Sequence, residues 1–499
     1  MVTAERIAGS PVAVAGIIVS AMMLWTCGYE STALHADVQS APESTSGAET
    51  VEAASDEPAP EPEDRESQSA EPEPEPDPPV YGVRLRRPAV EGQLGQPIAI
   101  EGSPQVMSRF YAALGRAEAG EGQARILFYG ASHVASDSFT GWVRGQLQAR
   151  FGDAGHGFVL PAHPWRSYRH RGVEIESERS LWSAQRVRDR HTHGGAYGLA
   201  GVAVDAEEEG AWARVRTETR RDFGRNVSRF EVFYWRQAGG GSFDVLIDGV
   251  RRERLSTALP EGTEESATAY AVYDVEDGPH QLEIRARGDG PIRIFGVSLD
   301  RDVPGVRLDT LGINGSRARF HLLWNDEVYR EHMARREADL VVLAYGTNEA
   351  GDQLPIPAYA DQLRQVIGRV QEVAPQADCL LVGPTDRPHR ENRRSPYVDR
   401  PRTLEVSNTQ RLVSEEMGCG YFDLLAFMGG PLSMVDWASA SPPHGARDHI
   451  HLTRFGYQRL AEEFFAALLE GYGEPSSAAA AGGGDSASGA ASEVASGSR

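Results

Sequence analysis

Three short and nearly continuous apolar runs constrain the fold of this chain more than any other feature. They extend from Arg125 to Tyr129, from Ala338 to Ala344 and from Cys379 to Val382. Apolar runs of this length, without alternation, are typical of parallel strands that are buried on both faces. Predicted helices then run from Phe139 to Arg150, Ala358 to Val373, Thr403 to Glu416 and Thr453 to Leu469. The sequence therefore predicts an α/β fold in which helices cover both faces of a parallel sheet.

A second pattern interrupts this alternation of strands and helices. Between about Glu174 and Leu299, apolar and polar residues alternate in short segments that are separated by turns such as Asp248-Gly249. Alternation with two-residue turns is typical of antiparallel strands. Because the α/β pattern resumes at Val306, we predict a β-sandwich inserted into the α/β domain.

The predicted organisation follows from these two patterns and from the composition of the chain ends. The α/β domain comprises residues 81–173 and 304–473, and the sandwich comprises residues 174–303. An acidic segment rich in proline precedes them at 31–80, and a tail of alanine, glycine and serine follows at 474–499. Segments of such composition bury little apolar area, so both are predicted to be disordered.

The formal charge of -22 is concentrated in the acidic segment, where residues 41–80 hold 13 acidic residues and one arginine. The rest of the chain is mildly acidic and has no basic stripe with interleaved aromatic residues. Nucleic acid is therefore not an expected partner, because binding to phosphates needs clustered cations.

The first 30 residues predict export. Arg6 precedes an apolar run from Val12 to Trp25, which is short for a membrane span and suits a secretory signal. Cys27 gives the alternative of a bacterial lipoprotein signal, and retention of the segment as an anchor is a third possibility. We expect a location in the periplasm or cell envelope, with a membrane tether in the second and third cases.

The absence of lysine excludes Schiff-base chemistry, a Walker-type phosphate loop and a Ser-Lys dyad. Cys379 and Cys419 have no CxxC pairing, so they form either one disulfide or two buried free thiols. His191-Thr192-His193 lacks a nearby carboxylate or third histidine in sequence and is interpreted as a surface loop. We therefore expect neither a metal nor an organic cofactor.

Four loops carry residues suited to acyl transfer. They are GASH at 130–133, LGINGS at 311–316, YGTNE at 345–349 and DHIH at 448–451. Ser132 follows a predicted parallel strand, at the edge where open α/β sheets place their sites. Asp448 precedes His451 by three residues, so its carboxylate can orient the imidazole that takes the serine proton. The two middle loops offer backbone N–H and carboxamide donors for an oxyanion.

This ordered set resembles the signature blocks of the SGNH, or GDSL-like, hydrolase superfamily. Within it, the chain is most similar to bacterial peptidoglycan O-acetylesterases, which also carry a sandwich like a carbohydrate-binding module, and RFGDAGHGF at 150–158 supports that narrower match. The resemblance implies a three-layer, flavodoxin-like α/β/α sheet with the sandwich inserted.

The resemblance also implies the roles of the loop residues. Ser132 would be the nucleophile, His451 the general base and then acid, and Asp448 its orienting partner. The N–H groups of Ser132 and Gly315 and the side-chain amide of Asn348 would form the oxyanion hole. Gly312 is the alternative glycine, and we prefer Gly315 because an Asn-Gly pair suits a tight turn.

One position departs from the family pattern, because Ala131 stands where the aspartate of GDS usually braces the nucleophile loop. Its loss predicts reduced activity rather than a missing triad member. His133, beside the nucleophile, is interpreted as a loop residue that makes hydrogen bonds, with substrate contact as the alternative. His163 and Trp165 are candidate sugar-binding residues, or residues that pack against the sandwich.

The expected activity is removal of O-acetyl groups from an acetylated polysaccharide outside the cytoplasm, with peptidoglycan as the first candidate. Three alternatives remain open at this point. A polysaccharide O-acetyltransferase or a plant-polysaccharide acetylesterase would use the same triad. A carbohydrate-binding protein would have lost catalysis through its altered GAS block.

Overall fold

The computed structural model describes residues 94–189 and 193–472. The predicted signal or anchor segment at 1–30, the acidic linker at 31–80 and the tail at 474–499 lie outside the described residues, as do His191 and Thr192. Within the described ranges, no helix combines the length and apolar character that a membrane crossing requires.

The described residues form sixteen strands and nine α-helices. The strands are β1 (Gln123–Gly130), β2 (Gly155–Val159), β3 (Val173–Ser177), β4 (Ser183–Arg186), β5 (Val202–Ala206), β6 (Trp212–Thr217), β7 (Val227–Arg236), β8 (Ser242–Ile247), β9 (Val250–Ser256), β10 (Ala267–Gly278), β11 (Gln281–Ala286), β12 (Ile292–Asp300), β13 (Gly305–Gly312), β14 (Leu340–Ala344), β15 (Asp378–Val382) and β16 (Gly420–Phe422). The helices are α1 (Ser108–Glu118), α2 (Ser132–Ala135), α3 (Thr140–Phe151), α4 (Asp326–Arg336), α5 (Ile356–Val373), α6 (Pro401–Glu416), α7 (Leu424–Met428), α8 (Ser433–Ser439) and α9 (Arg454–Glu470).

A five-stranded parallel sheet forms the centre of the α/β domain, in the order β13-β1-β14-β15-β16. Alternate residues of its strands enter two separate apolar cores. Leu127 and Val341 pack with α4, α5 and α6 on one face, whereas Phe128 and Val342 pack with α1, α3 and α9 on the other. The fold is therefore the predicted three-layer α/β/α arrangement. Thr453 caps α9, because its hydroxyl accepts a hydrogen bond from the N–H of Gly456 at 3.4 Å.

The antiparallel strands form the predicted sandwich of two sheets. One has the order β10-β7-β12-β5-β4, with β2 also paired to β12, and the other has the order β3-β6-β11-β8-β9. Asp248 and Gly249 join β8 to β9 with φ values of 52° and 78°, as a two-residue hairpin turn requires. All nine residues of β12 are buried, because one face of this strand meets the sandwich core and the other meets the α/β domain.

A buried arginine joins the two parts of the molecule. The Arg336 guanidinium, at the end of α4, donates to both carboxylate oxygens of Asp309 at 2.7 and 2.9 Å and to both of Asp300 at 2.7 and 3.1 Å. Asp300 belongs to sandwich strand β12 and Asp309 to sheet strand β13. Asp309 also accepts from the N–H of Phe158 in β2 at 2.9 Å. One charge cluster therefore fixes both sheets to the same helix.

Cys379 and Cys419 form a disulfide at the amino ends of β15 and β16, with their Cα atoms 4.9 Å apart. Of the two alternatives left by the sequence, the structure has the disulfide. Because parallel α/β sheets carry their sites at the opposite, carboxyl ends of the strands, this bond lies at the other end of the sheet from the GASH loop.

Candidate active site

Three adjacent strands of the parallel sheet deliver the predicted loops to one edge. β1 leads directly into Ser132 at the start of α2, β13 leads into the turn that contains Gly315, and β14 leads into the loop that contains Asn348. These strands are neighbours in the order β13-β1-β14, so their carboxyl ends lie side by side. The loop before α9 adds Asp448 and His451.

Ser132, His451 and Asp448 form a continuous chain of hydrogen bonds. The Oγ atom of Ser132 lies 2.8 Å from Nε2 of His451, and Nδ1 of His451 lies 2.7 Å from Oδ2 of Asp448. With the Nδ1 proton donated to the carboxylate, Nε2 is the acceptor for the serine hydroxyl. This arrangement lets the imidazole take the proton of Ser132 as its oxygen attacks a carbonyl.

The Asp448 carboxylate is held by its own loop. Its Oδ1 atom accepts hydrogen bonds from the N–H groups of Ile450 and His451, each at 3.0 Å. Partial burial opposes ionisation of Asp448, but the hydrogen bonds from the His451 ring and these two N–H groups outweigh it and lower its pKa to about 2. The histidine therefore faces a permanent negative charge at neutral pH.

The predicted oxyanion donors lie on the loops beside Ser132. In the described part of the chain, the backbone N–H groups of Ser132 and Gly315 have no hydrogen-bond partner. The Asn348 Nδ2 atom donates one proton to the carbonyl of Ser316 at 2.9 Å, which leaves its second proton for a ligand. These groups are the type of donors that stabilise a tetrahedral oxyanion.

The structure distinguishes the two glycines of the LGINGS block. Gly312 ends β13 and lies against the backbone of Ala135, so that a Cβ atom at this position would collide with α2. Gly315 instead has a φ of 73° in a turn that is closed by the N–H of Ser316 donating to the carbonyl of Ile313 at 3.0 Å. Gly312 thus permits close packing, and Gly315 presents its N–H in the turn.

Ala131 is the N-cap residue of α2 and has no side-chain acceptor for the first N–H groups of this helix. An aspartate at an N-cap would accept one of these hydrogen bonds. Ala131 is buried, with 5% of its surface exposed, and packs in the core on the α4 side of the sheet. The loop is therefore held by packing where the family pattern has a polar brace.

His133 connects the Ser132 segment with α9 and with the loop after β15. Its Nδ1 atom lies 3.0 Å from the Tyr457 hydroxyl of α9, and its Nε2 atom lies 3.4 Å from the Thr385 hydroxyl after β15. Its ring centroid lies 5.4 Å from that of His451. Burial, followed by the neighbouring His451, lowers the pKa of His133 to about 3, so its ring is neutral.

His163 and Trp165 lie in the segment between β2 and β3. The His163 Nδ1 atom is 3.3 Å from the Ser177 hydroxyl, and both rings make edge contacts with Tyr168. Among the described residues, neither side chain makes a hydrogen bond or ring contact with Ser132, His133 or His451. Their role as sugar-binding residues stays a prediction.

The structure adds residues that the sequence patterns did not single out. The Arg387 guanidinium donates to the Thr347 carbonyl at 2.8 Å and thereby braces the loop of Asn348. Tyr397 stacks on His449 with ring centroids 4.0 Å apart, which ties the loop after β15 to the Asp448 loop. Arginine and tyrosine in irregular loops have no periodic signal, so only the three-dimensional contacts reveal them.

A cleft of about 690 Å³ lies beside the Asp448 loop. Its walls combine apolar side chains with Tyr397, Arg447 and His449. Across the described ranges, no group of three or more histidine, cysteine, aspartate or glutamate side chains is arranged to hold a metal ion.

Comparisons with known proteins agree with this fold. A model of the GDSL-like Lipase/Acylhydrolase family matches residues 277–459, which include the last three of the four loops. A solved peptidoglycan O-acetylesterase has 23% sequence identity and a TM-score of 0.60, and the match covers 72% of this chain and 95% of that chain. A search of curated protein sequences found no match.

Two other solved structures show weaker similarity. A family two carbohydrate esterase from Clostridium thermocellum has 11% identity and a TM-score of 0.24, with coverage of 54% of this chain and 94% of that chain. An acetyl xylan esterase has 18% identity and a TM-score of 0.25, with coverage of 32% and 80%. Residues 277–459 are therefore similar to the GDSL-like Lipase/Acylhydrolase family, and the chain shares its α/β/α fold with a solved peptidoglycan O-acetylesterase.

Proposed function

We propose that the protein is a serine esterase that removes O-acetyl groups from a polysaccharide outside the cytoplasm, with peptidoglycan as its substrate. The observation that carries this proposal is the hydrogen-bonded chain from Ser132 Oγ through His451 to Asp448, at 2.8 and 2.7 Å. It lies beside the N–H groups of Ser132 and Gly315, which have no hydrogen-bond partner among the described residues and suit an oxyanion. Acyl transfer from an ester needs this combination of groups.

The geometry supports a two-step reaction. Ser132 Oγ attacks the acetyl carbonyl while His451 Nε2 takes the serine proton. The N–H of Gly315 and the amide of Asn348 donate hydrogen bonds to the carbonyl oxygen, on which negative charge develops. The carbon–oxygen bond to the sugar then breaks, and His451 returns the proton to the sugar oxygen. Water attacks the acetyl-enzyme with His451 again as base, which releases acetate and restores the serine.

Positively charged side chains near the proposed site support an acidic glycan as the substrate. Arg390, Arg393 and Arg394 lie exposed in the loop between β15 and α6, and Arg447 is exposed immediately before Asp448. The stack of Tyr397 on His449 holds these two loops together. Peptidoglycan carries carboxylates on its peptide groups, whereas a neutral glycan would gain little from these cations. The fold shared with a solved peptidoglycan O-acetylesterase gives further support.

The disulfide supports the proposed location. Cys379 and Cys419 are bonded in the structure, and disulfides persist mainly in oxidising compartments such as the bacterial periplasm. Together with the apolar run at the N-terminus, this supports export to the periplasm or cell envelope. The mass of the mature N-terminus would distinguish cleavage, lipidation at Cys27 and retention of the segment.

A two-substrate assay tests the proposal. The purified protein should hydrolyse p-nitrophenyl acetate and release acetate from O-acetylated peptidoglycan faster than from acetylated xylan. Ser132→Ala and His451→Ala should each lower kcat by orders of magnitude, because such residues act as a unit. Arg447→Gln should lower acetate release from peptidoglycan but leave the rate on p-nitrophenyl acetate unchanged.

Each alternative function gives a different result in the same assay. Faster release from xylan would identify a plant-polysaccharide acetylesterase, and acetyl transfer to an added glycan would identify an O-acetyltransferase. Binding of glycan without Ser132-dependent hydrolysis would indicate a carbohydrate-binding protein. Full activity of Ser132→Ala would contradict the proposed mechanism altogether.

A further inference from the structure

An arginine of the inserted sandwich contacts the turn that contains Gly315. Arg188 follows β4, and its Nη1 atom donates a hydrogen bond to the carbonyl oxygen of Asn314 at 2.5 Å. Its guanidinium lies so close to Gly315 that a Cβ atom added there would collide with it. The sandwich therefore reaches one of the loops that surround Ser132.

The contacted peptide is the one that sets the direction of the Gly315 N–H. In a trans peptide, the carbonyl of Asn314 and the N–H of Gly315 lie in one plane and point in opposite directions. A donor that holds the carbonyl on one side thus aims the N–H toward the other. In the described part of the chain, this N–H has no partner of its own.

Turn geometry makes this orientation a choice between two states. Ile313, Asn314, Gly315 and Ser316 form a β-turn, and the φ of 73° at Gly315, its third residue, is typical of type II. Type I and type II turns differ mainly by a half rotation of the central peptide. Here that peptide joins Asn314 to Gly315, so the hydrogen bond from Arg188 stabilises one of the two orientations.

Arg188 is itself held by the sandwich. The Asp189 carboxylate lies 3.3 Å from Nε of Arg188 and 2.6 Å from Nε of Arg186 in β4. The Arg188 side chain is 38% exposed. Its guanidinium is planar, so the ion pair at Nε also fixes the direction of the Nη1 donor toward the Asn314 carbonyl. The arginine is therefore positioned by residues that belong to the insertion rather than to the α/β domain.

We propose that Arg188 is a positioning residue for the oxyanion hole, and that the inserted sandwich uses it to hold the Gly315 N–H toward the acetyl carbonyl. This inference rests on the proposed function, in which Gly315 is an oxyanion donor. Loss of one such donor lowers kcat by about 10²- to 10³-fold in a serine protease. Loss of its orientation should have a smaller effect in the same direction.

The test compares Arg188→Met with Arg220→Met, a matched control at an exposed sandwich arginine. With p-nitrophenyl acetate, Arg188→Met should lower kcat by about 10- to 100-fold and change KM little. A boronic acid that forms a tetrahedral adduct with serine should bind more weakly by a similar factor. Arg188→Lys should recover part of the activity, and Arg220→Met should match the wild type in both measurements.

The outcomes separate this inference from the proposed function. If Ser132→Ala is inactive but Arg188→Met retains full kcat, the positioning role is wrong and the esterase mechanism stands. A raised KM with unchanged kcat would assign Arg188 to substrate binding and also overturn the positioning role. Full activity of Ser132→Ala would overturn both. A crystal structure of Arg188→Met should show the Asn314–Gly315 peptide rotated, and an unrotated peptide would contradict the proposal.

Discussion

The Asp448 carboxylate accepts the Nδ1 proton of His451 at 2.7 Å, and the backbone of the same loop holds the carboxylate through two further hydrogen bonds. Asp448→Asn should keep the loop geometry but stabilise the wrong tautomer of the histidine. We expect kcat on p-nitrophenyl acetate to fall by about 10³- to 10⁴-fold, as for the equivalent change in a serine protease. Asp361→Asn, at an exposed position of α5, is the control. A loss below tenfold would remove Asp448 from the mechanism.

His133 should support turnover rather than substrate affinity. Its ring packs beside His451 and is bound to Tyr457, so His133→Leu should loosen the general base while keeping an apolar side chain. We expect kcat to fall by about tenfold, which corresponds to about 1.4 kcal/mol, with KM on acetylated glycan nearly unchanged. Steady-state kinetics on the glycan measures both. A raised KM with normal kcat would favour the alternative interpretation, direct contact with the substrate.

The disulfide should contribute stability but not activity. It closes a segment with a sequence separation of 40 residues, for which the chain-entropy estimate is about 4 kcal/mol. Cys379→Ser with Cys419→Ser should therefore lower the free energy of unfolding in urea by up to this amount. At 25 °C, kcat should stay at the wild-type value, because the bond lies at the amino ends of the strands. Equal stability with and without reductant would contradict this prediction.

His332 should make the protein less stable in acid. Neither of its ring nitrogens has a hydrogen-bond partner among the described residues, and Phe233, Tyr270 and Phe295 surround the ring. Burial, followed by Arg335, lowers its pKa to about 3. Between pH 6.5 and 3 the unfolded chain therefore binds a proton that the folded chain does not.

The stability that depends on neutral His332 is thus complete above pH 6.5 and is lost as the pH falls toward 3. The loss should approach about 1.4 kcal/mol per pH unit. His332→Phe should make a plot of unfolding free energy against pH shallower by this amount between pH 6 and 4. Denaturant titrations at several pH values measure both slopes. Parallel plots for the two proteins would contradict the prediction.

The fold was largely predictable because its elements have strong periodic signals. The runs beginning at Arg125, Ala338 and Cys379 overlap β1, β14 and β15, and the predicted turn at Asp248-Gly249 joins β8 to β9. These strands are buried on two faces or on alternate sides, and burial determines their composition. In contrast, α4 was not predicted, because His332 and Arg336 lie among the apolar residues of its buried face and interrupt the apolar stripe.

The site was predictable only in part. The order of the four loops gave the residues that the structure brings together, Ser132, Asp448 and His451, because each loop follows a strand or precedes a helix. The supporting contacts of Arg188 and Arg387 were not predictable. They join side chains to carbonyl groups far away in the sequence, and arginines in loops carry no signal of their partners.

The pairing of β1 with β13 places Gln123 beside Gly305, on opposite sides of the inserted sandwich in the sequence. The cost of closing a loop rises with the length of free chain between its ends. Once the sandwich has folded, its strands belong to one compact body, so less free chain separates Gln123 from Gly305. We therefore expect the sandwich to fold first, and β1 to pair with β13 only after the insertion has folded.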